Sequence, residues 1–539
     1  MDIKNNFGIW DYEGESNSIE RGVYAFQNGL YSLAMSLLRD FAEYGDVKSQ
    51  SIVGKMFYDG LHVEKNTELG VEWFYHSAIE GEDRLTKFIQ MHGEKFNLGW
   101  NYLGVEKETF IRQQLNLHNV ELVDFLLNVK GDIDAQFKLG SIYCFGEGVT
   151  QDYKQAVKWY TLAAEQGNAV AQYNLGLMYY NGRGVSQDYK QAVKWYTLAA
   201  EQGDGNAQFS LGIMYSNGQC VTQDYEQAVK WYTLAAEQGD AVAQYNLGLM
   251  YYNGNGVERD FEHAVKWYTL AAEQGVAYAQ LNLGAMHNNG QGVTQDYKQA
   301  VKWFTLAAEQ GVAYAQLNLG VMYDNGQCVT QDYKQAVKWY TLAAEQGDAV
   351  AQYNLGLMYY NGNGVERDFE HAVKWYTLAA EQGVAYAQLN LGAMHNNGQG
   401  VTQDYKQAVK WFTLAAEQGV AYAQLNLGVM YDNGQCVTQD YKQAVKWYTL
   451  AAEQGNAVAQ YNLGLMYYNG RGVSQDYKQA VKWYTLAAEQ GDGNAQFSLG
   501  IMYSNGQCVT QDYEQAVKWY TLAAEQGDAV AQYNLGLMY

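Results

Sequence analysis

A chain of 539 residues with 35 Lys and Arg against 58 Asp and Glu carries a formal charge of −23. That balance argues against nucleic acid and anionic membranes as partners, because both are bound by neutralising phosphates with basic side chains. The absence of proline suits unbroken helices, and five cysteines are too few and too odd in number for a disulfide framework.

Taken in order, residues 1–48 read as a polar lead-in and an N-terminal capping helix pair, with helices predicted over 19–27 and 31–43 and broken by Asn28-Gly29. The opening MDIKNNFGIWDYEGE lacks the basic and apolar regions of a signal peptide, and no later run reaches 18 apolar residues. The expectation is a cytoplasmic protein with no membrane insertion. Residues 49–84 form a diverged repeat, since Gly54, Met56, Gly60, Val63, Asn66, Val71, Trp73, Ala78 and Gly81 hold phases seen again later. Residues 85–133 break the period and read as an irregular helical insert or degenerate repeats.

From 134 to 527 the array is strict and holds eleven repeats, with residues 528–539 starting one more. The tryptophans from Trp159 to Trp519 are each 36 residues from the next, a period that specifies a solenoid. Within the unit 171–203, Ala171, Leu175 and Met178 share one helical face, and Asn181-Gly182 ends that first helix. A loop over 183–187 leads to Asp188, the predicted N-cap of the second helix, with Gln191 in the capping-box position. Tyr189, Ala192, Val193, Tyr196, Ala199 and Ala200 then make the stripe to be buried, and Gly203 stops the helix. Gly176 is mid-helix, where glycine costs about 1 kcal/mol relative to alanine, so close backbone approach is expected there.

The unit resembles the Sel1-like repeat, a relative of the tetratricopeptide repeat, at Ala171, Leu175, Gly176, Met178, Tyr179, Gly182, Gly184, Val185, Ala192, Trp195, Ala199, Ala200 and Gly203. The resemblance implies an all-α, right-handed α-solenoid of antiparallel helix pairs with a 36-residue period, used to hold other proteins. One departure is plain. Cysteine-rich members carry a cysteine pair in each repeat, whereas here Cys220, Cys328, Cys436 and Cys508 replace only the loop glycine equivalent to Gly184 and Cys144 lies in a first helix, so free thiols are expected.

Copying is visible in the array: residues 240–347 are identical to 348–455, and 168–251 to 456–539. Such duplication lengthens a binding surface and does not build a unique active site. The distinct units differ along one i, i+4, i+7 stripe of the first helix. It runs through Tyr173, Phe209, Tyr245, Leu281 and Leu317, then Leu177, Ile213, Leu249, Ala285 and Val321, then Tyr180, Ser216, Tyr252, Asn288 and Asp324. Tyr173, Tyr180, Phe209, Tyr245, Tyr252, Asn288 and Asp324 are therefore the candidate groove residues for a protein partner. Relaxed packing at partly exposed positions is the competing explanation.

Chemistry finds little support. The rings held as Tyr160 and Tyr196 are Phe304 and Phe412 elsewhere, and Tyr189 becomes Phe261 and Phe369, so the ring persists and the hydroxyl does not. No His-Glu-x-x-His, Cys-x-x-Cys or complete phosphate-binding loop occurs, and His263 and His287 in consecutive units are the nearest thing to a ligand pair. Links of some Sel1-like proteins to β-lactams suggest a hydrolase, but Ser-x-x-Lys, Ser-Asp-Asn and Lys-Thr-Gly are all missing. The expected function is a non-catalytic scaffold without cofactor or metal. The alternative is a carbohydrate or cell-wall binding module or β-lactamase-like hydrolase. The incomplete unit 528–539 would leave Leu535, Leu537, Met538 and Tyr539 in water, which predicts either a longer array or self-association at that end.

Overall fold

The computed structural model describes residues 133–538 apart from 147, 148 and 508, together with stretches between residues 22 and 63 of which 29–43 is the longest. The expectations for the lead-in, the insert, most of the diverged repeat and Cys508 lie outside the described residues.

In the N-terminal stretch the helix Tyr31–Glu43 forms as the sequence predicts. Its Leu38 and Ala42 pack on Val53, and Ala34 joins Ala25 and Met56 in a second small core. Gln50, fully buried, donates from Nε2 to the Ala42 carbonyl at 3.1 Å, satisfying a carbonyl at that helix's end.

From residue 133 to residue 525 every unit is a pair of helices, and the single helix Ala529–Met538 follows the last pair. In the pair Ala169–Asn181 and Tyr189–Glu201, the Asp188 N–H donates to the Tyr179 carbonyl at 3.0 Å and the Gln202 amide donates to Gln172 Oε1 at 2.6 Å. The end of the first helix thus meets the start of the second, and the end of the second meets the start of the first. The pair is antiparallel.

Local chemistry sets the boundaries. The first helix starts two residues before the predicted stripe, on Asn168, whose Oδ1 accepts from the Ala171 N–H at 2.8 Å. Gly182 closes it in the left-handed conformation at φ 66°, with its N–H on the Met178 carbonyl. Asp188 caps the second helix through the Gln191 N–H at 3.1 Å. The reciprocal half of the capping box is not used, because the Asp188 N–H is already taken by Tyr179.

The core lies between units as much as within them. Tyr160, Ala163 and Ala164 of one second helix, Ala171, Leu175 and Met178 of the next first helix, and Trp195 of the following second helix form one cluster. The pattern recurs as Tyr196, Ala199, Ala200, Ala207, Leu211, Met214 and Trp231. Each fully buried leucine in such a layer contributes roughly 1.5–3 kcal/mol, and the charged end of Lys194 covers the Trp195 ring at 4.9 Å.

Three details correct the sequence reading. Gly176 is a seat for a ring and not a backbone contact: a Cβ there would lie 2.6 Å from Cδ1 of Tyr196. Tyr189, placed in the buried stripe, is 38% exposed, since it is the first residue of its helix, outside the layer of Ala192, Tyr196 and Ala199. Gln172 is buried within an apolar layer, its Nε2 donating to the Ala164 carbonyl of the preceding helix at 3.0 Å while its Oε1 accepts from Gln202. The same ladder, repeated as Gln208 with Gln238 and Gln244 with Gln274, satisfies both ends of the Gln208 and Gln244 amides and ties each of these units to the one before.

Candidate functional site

The seven candidate residues all project from the same side of the first helices, and the second helices decide how far each is exposed. Tyr173, Phe209 and Tyr245 are half-buried because each leans on the buried ring of its own second helix. The ring centres are 5.7 Å apart for Tyr173–Tyr196, 6.1 Å for Phe209–Tyr232 and 6.0 Å for Tyr245–Tyr268. Two turns further on, the Tyr180 hydroxyl accepts from Gln219 Nε2 of the next unit's loop at 2.8 Å, and its ring meets Tyr189 edge-on at 5.6 Å. Tyr252 packs likewise on Phe261 at 5.4 Å. Asn288 donates to Asn289 Oδ1 at 3.0 Å, and Asp324 Oδ2 accepts from the Tyr340 hydroxyl at 3.2 Å.

The ring and its neighbour on the stripe change together in two of the units, although Tyr268 and Tyr376 keep buried hydroxyls without a hydrogen-bond partner among the described residues. Where the stripe ends in Asp324 the ring beneath is Tyr340 and its hydroxyl is used; where it ends in Asn288, bonded to its neighbour, the ring is Phe304. Burial raises the Tyr232 hydroxyl to about 12, and it raises those of Tyr173 and Tyr245 as well. These groups stay protonated at physiological pH and are not placed to act as bases.

A fourth position on the stripe escaped the sequence reading. One turn before Tyr173 the residue is Val170, then Asn206, Val242, Tyr278 and Tyr314 in successive units. Where the half-buried ring shrinks to Leu281 or Leu317, now buried, a tyrosine appears three residues earlier at Tyr278 or Tyr314. The ring has moved outward: Tyr278 is 59% and Tyr314 56% exposed, as are Tyr386 at 59% and Tyr422 at 63%. The signal was available in the sequence as covariation between positions three apart, the spacing of neighbours on one helix face.

Among the described residues the histidines do not assemble a site. His263 Nδ1 pairs with Asp260 Oδ2 at 2.7 Å and its ring stacks on Tyr251, while His287 Nδ1 is buried without a hydrogen-bond partner among the described residues. Among the described residues no group of three His, Cys, Asp or Glu could hold a metal ion, and no helix is long and apolar enough to cross a membrane. Cys144, Cys220, Cys328 and Cys436 are free thiols.

The Sel1 repeat family model matches residues 47–81 and then runs unit by unit from 133–168 to 529–539, well over half of the chain. The chain belongs to the Sel1 repeat family. Among solved Sel1 structures, the protective antigen c5321 of uropathogenic Escherichia coli, which displays an SLR fold, is 35% identical over 94% of this chain and 93% of its own, with a TM-score of 0.64. A Sel1 repeat protein from Oxalobacter formigenes is 36% identical over 59% of this chain and 91% of its own, with a TM-score of 0.46. No curated protein matches the chain. The Sel1 matches cover the seven candidate residues and the four exposed tyrosines alike, so all of them decorate repeats of one architecture.

Proposed function

We propose that this Sel1 repeat protein is a non-catalytic scaffold that binds a partner protein along the exposed stripe of its first helices. The observation that carries this reading is the separation of roles within the unit. Gln172, Gly176, Trp195 and Tyr196 hold the stack, while the residues at the Val170, Tyr173 and Tyr180 positions change from unit to unit without disturbing it. Tyr278 with Tyr314, and Tyr386 with Tyr422, put large rings in solvent in two pairs of consecutive units, which is how interface anchors are supplied at low entropic cost. Tyr173, Tyr180, Phe209, Tyr245, Tyr252, Asn288 and Asp324 form the inner part of the same face.

The test begins with affinity purification by the full chain and continues with the purified partner. Replacing Tyr278, Tyr314, Tyr386 and Tyr422 together with Ala should weaken binding by at least about 2 kcal/mol, close to thirtyfold, with circular dichroism unchanged. Unchanged affinity in a folded variant would move the contact to the loops around Arg183 and Asn255. Exposed tyrosine faces also suit stacking on sugars. Saturable binding of peptidoglycan fragments, lost in the same variant, would replace the protein partner by a carbohydrate.

A further inference from the structure

Every first helix from Ala169–Asn181 to Gly493–Asn505 ends in an asparagine followed by glycine, and two units carry a second such step straight after it, at Asn255-Gly256 and Asn363-Gly364. Asparagine before glycine is where a chain attacks its own side chain most readily, because the glycine nitrogen has no neighbouring Cβ to block its approach to Cγ. The structure divides these steps into two kinds. At the helix end the glycine N–H is engaged, Gly254 on the Met250 carbonyl at 2.9 Å and Gly362 on that of Met358 at 2.8 Å, and the asparagine before it is the last helical residue. In the loop, Asn255 and Asn363 donate their own N–H to those two carbonyls at 3.0 Å, but the N–H groups of Gly256 and Gly364 have no hydrogen-bond partner among the described residues. Other units hold glutamine or arginine at this place, as at Gln219 and Arg183, and neither side chain closes a five-membered ring.

We propose that Asn255 and Asn363 are sites of spontaneous covalent modification, deamidation through the following glycine, and that the product loosens the seam between each loop and the unit before it. The Gly256 nitrogen gives its proton to solvent and forms a bond to Cγ of Asn255. The Cγ–Nδ2 bond breaks, and the side-chain nitrogen takes up a proton and leaves as ammonia. Water then opens the five-membered imide at one carbonyl or the other, giving aspartate or isoaspartate, so that water is the one co-reactant. Isoaspartate routes the main chain through Cβ and Cγ and so lengthens it by one atom beside Gly256. That glycine has no room to move inward, since a Cβ on it would meet the Tyr225 carbonyl and the Glu226 nitrogen of the preceding unit, as one on Gly364 would meet Tyr333 and Lys334. The longer chain cannot keep this packing together with the Asn255 bond to Met250, and either product adds a negative charge to the loop.

Trypsin releases residues 231–259 and 339–367 as one and the same peptide, which contains both kinds of step, Asn253 with Asn255 and Asn361 with Asn363. The full chain held at pH 8 and 37 °C should convert Asn255 and Asn363 about tenfold faster than Asn253 and Asn361, the effect of one backbone hydrogen bond that must open first. Electron-transfer fragmentation of the peptide locates the converted residue and tells isoaspartate from aspartate. In urea, where neither glycine N–H is held, both steps should convert at one rate. Equal rates in the folded chain, or faster conversion at Asn253, would overturn the assignment. The seam is read by hydrogen exchange in aged against fresh protein. The Asp260 N–H, which closes its loop on the Tyr251 carbonyl at 2.9 Å, and the Asp368 N–H on Tyr359 should exchange faster after ageing. Asn255→Gln with Asn363→Gln, the residue other units place there, should show neither conversion at these sites nor that change. Aged parent protein that exchanges as slowly as fresh protein would overturn the loosening.

Discussion

The stretch AVAQYNLGLM occurs at residues 457–466 and again at 529–538, and the two copies differ in surroundings and not in sequence. In the first, Leu463 is fully buried, Met466 nearly so, and the Cβ position of Gly464 is occupied at 2.7 Å by the ring of Tyr484. In the second, Tyr533 and Leu537 are each 67% exposed, and nothing lies within 4 Å of the Cβ position of Gly536. Both still form helix, and both still anchor backward, Gln460 on the Ala452 carbonyl and Gln532 on that of Ala524, each at 3.1 Å. What is missing at 529–538 is the second helix that follows every other copy. Half of a first helix's environment is therefore supplied by the preceding unit and half by its own partner, which is the nearest-neighbour energetics expected of a solenoid.

The largest expected effect separates the two leucines. Leu463→Ala should destabilise its region by about 2–5 kcal/mol, the range for a fully buried leucine, whereas Leu535→Ala should cost less than about 1 kcal/mol. Because long arrays need not unfold in one step, the measurement is native-state hydrogen exchange resolved by repeat. Equal costs would contradict the division of the core between neighbours.

The glycines should differ in sign. Alanine is better than glycine in a helix by about 1 kcal/mol, so Gly536→Ala should stabilise its helix. Gly464→Ala should instead destabilise by about 1–3 kcal/mol, the usual cost of overpacking, because the ring it meets belongs to the buried Tyr484. Stabilisation at both positions would mean that the ring moves aside freely.

A smaller effect depends on pH. Burial holds His287 and His395 below the ordinary histidine value of 6.5, against the opposing pull of Asp296 and Asp404, while Lys410 adds to the lowering at His395. The unfolded chain takes up these protons near 6.5 and the folded chain resists, so their contribution is complete above that pH and is lost as pH falls below it. Tyrosine stands at the equivalent positions 179, 215, 251 and 323. His287→Tyr with His395→Tyr should therefore lose less stability between pH 7.5 and 5 than the parent, as read from urea midpoints at the two pH values. An identical loss would place the acid sensitivity elsewhere.

How much of this was legible in the sequence depends on whether the signal was periodic or relational. Helix boundaries, the Asp188 cap, the Gly182 stop and the apolar layers of Ala171, Leu175 and Met178 follow from spacing alone, and the structure has them within two residues. The family, too, was readable from the repeated motif, as the Sel1 match bears out. Gln172 was not legible, because a buried amide looks polar until both of its partners, 8 and 30 residues away, are placed. Nor was the shift of a ring from Tyr245 in one unit to Tyr278 in the next. It required seeing that Leu281 goes under as Tyr278 comes out, a trade between two positions on one face.

The smallest effect concerns the loop that follows each first helix. Among the described residues the only non-glycine residues with positive φ are Cys220 at 71°, Cys328 at 58° and Cys436 at 57°, all at the place where Gly184 has φ 74°. That region costs a residue with a Cβ about 1–3 kcal/mol, and the place is also tight, since a Cβ on Gly184 would meet the Tyr153 carbonyl. Cys328 is exposed, so its thiol gains little from burial in return. Cys328→Gly should relieve the strain but restore the backbone freedom of glycine in the unfolded chain, for a net gain of about 0.5 kcal/mol. The readout is hydrogen exchange at Gln327, whose N–H donates to the Met322 carbonyl at 2.9 Å across that turn. Slower exchange in the variant would show that glycine suits the loop better than cysteine. Faster exchange would mean that the Cys328 side chain holds the turn, and the thiol would then have to be counted among the contacts that stabilise the repeat.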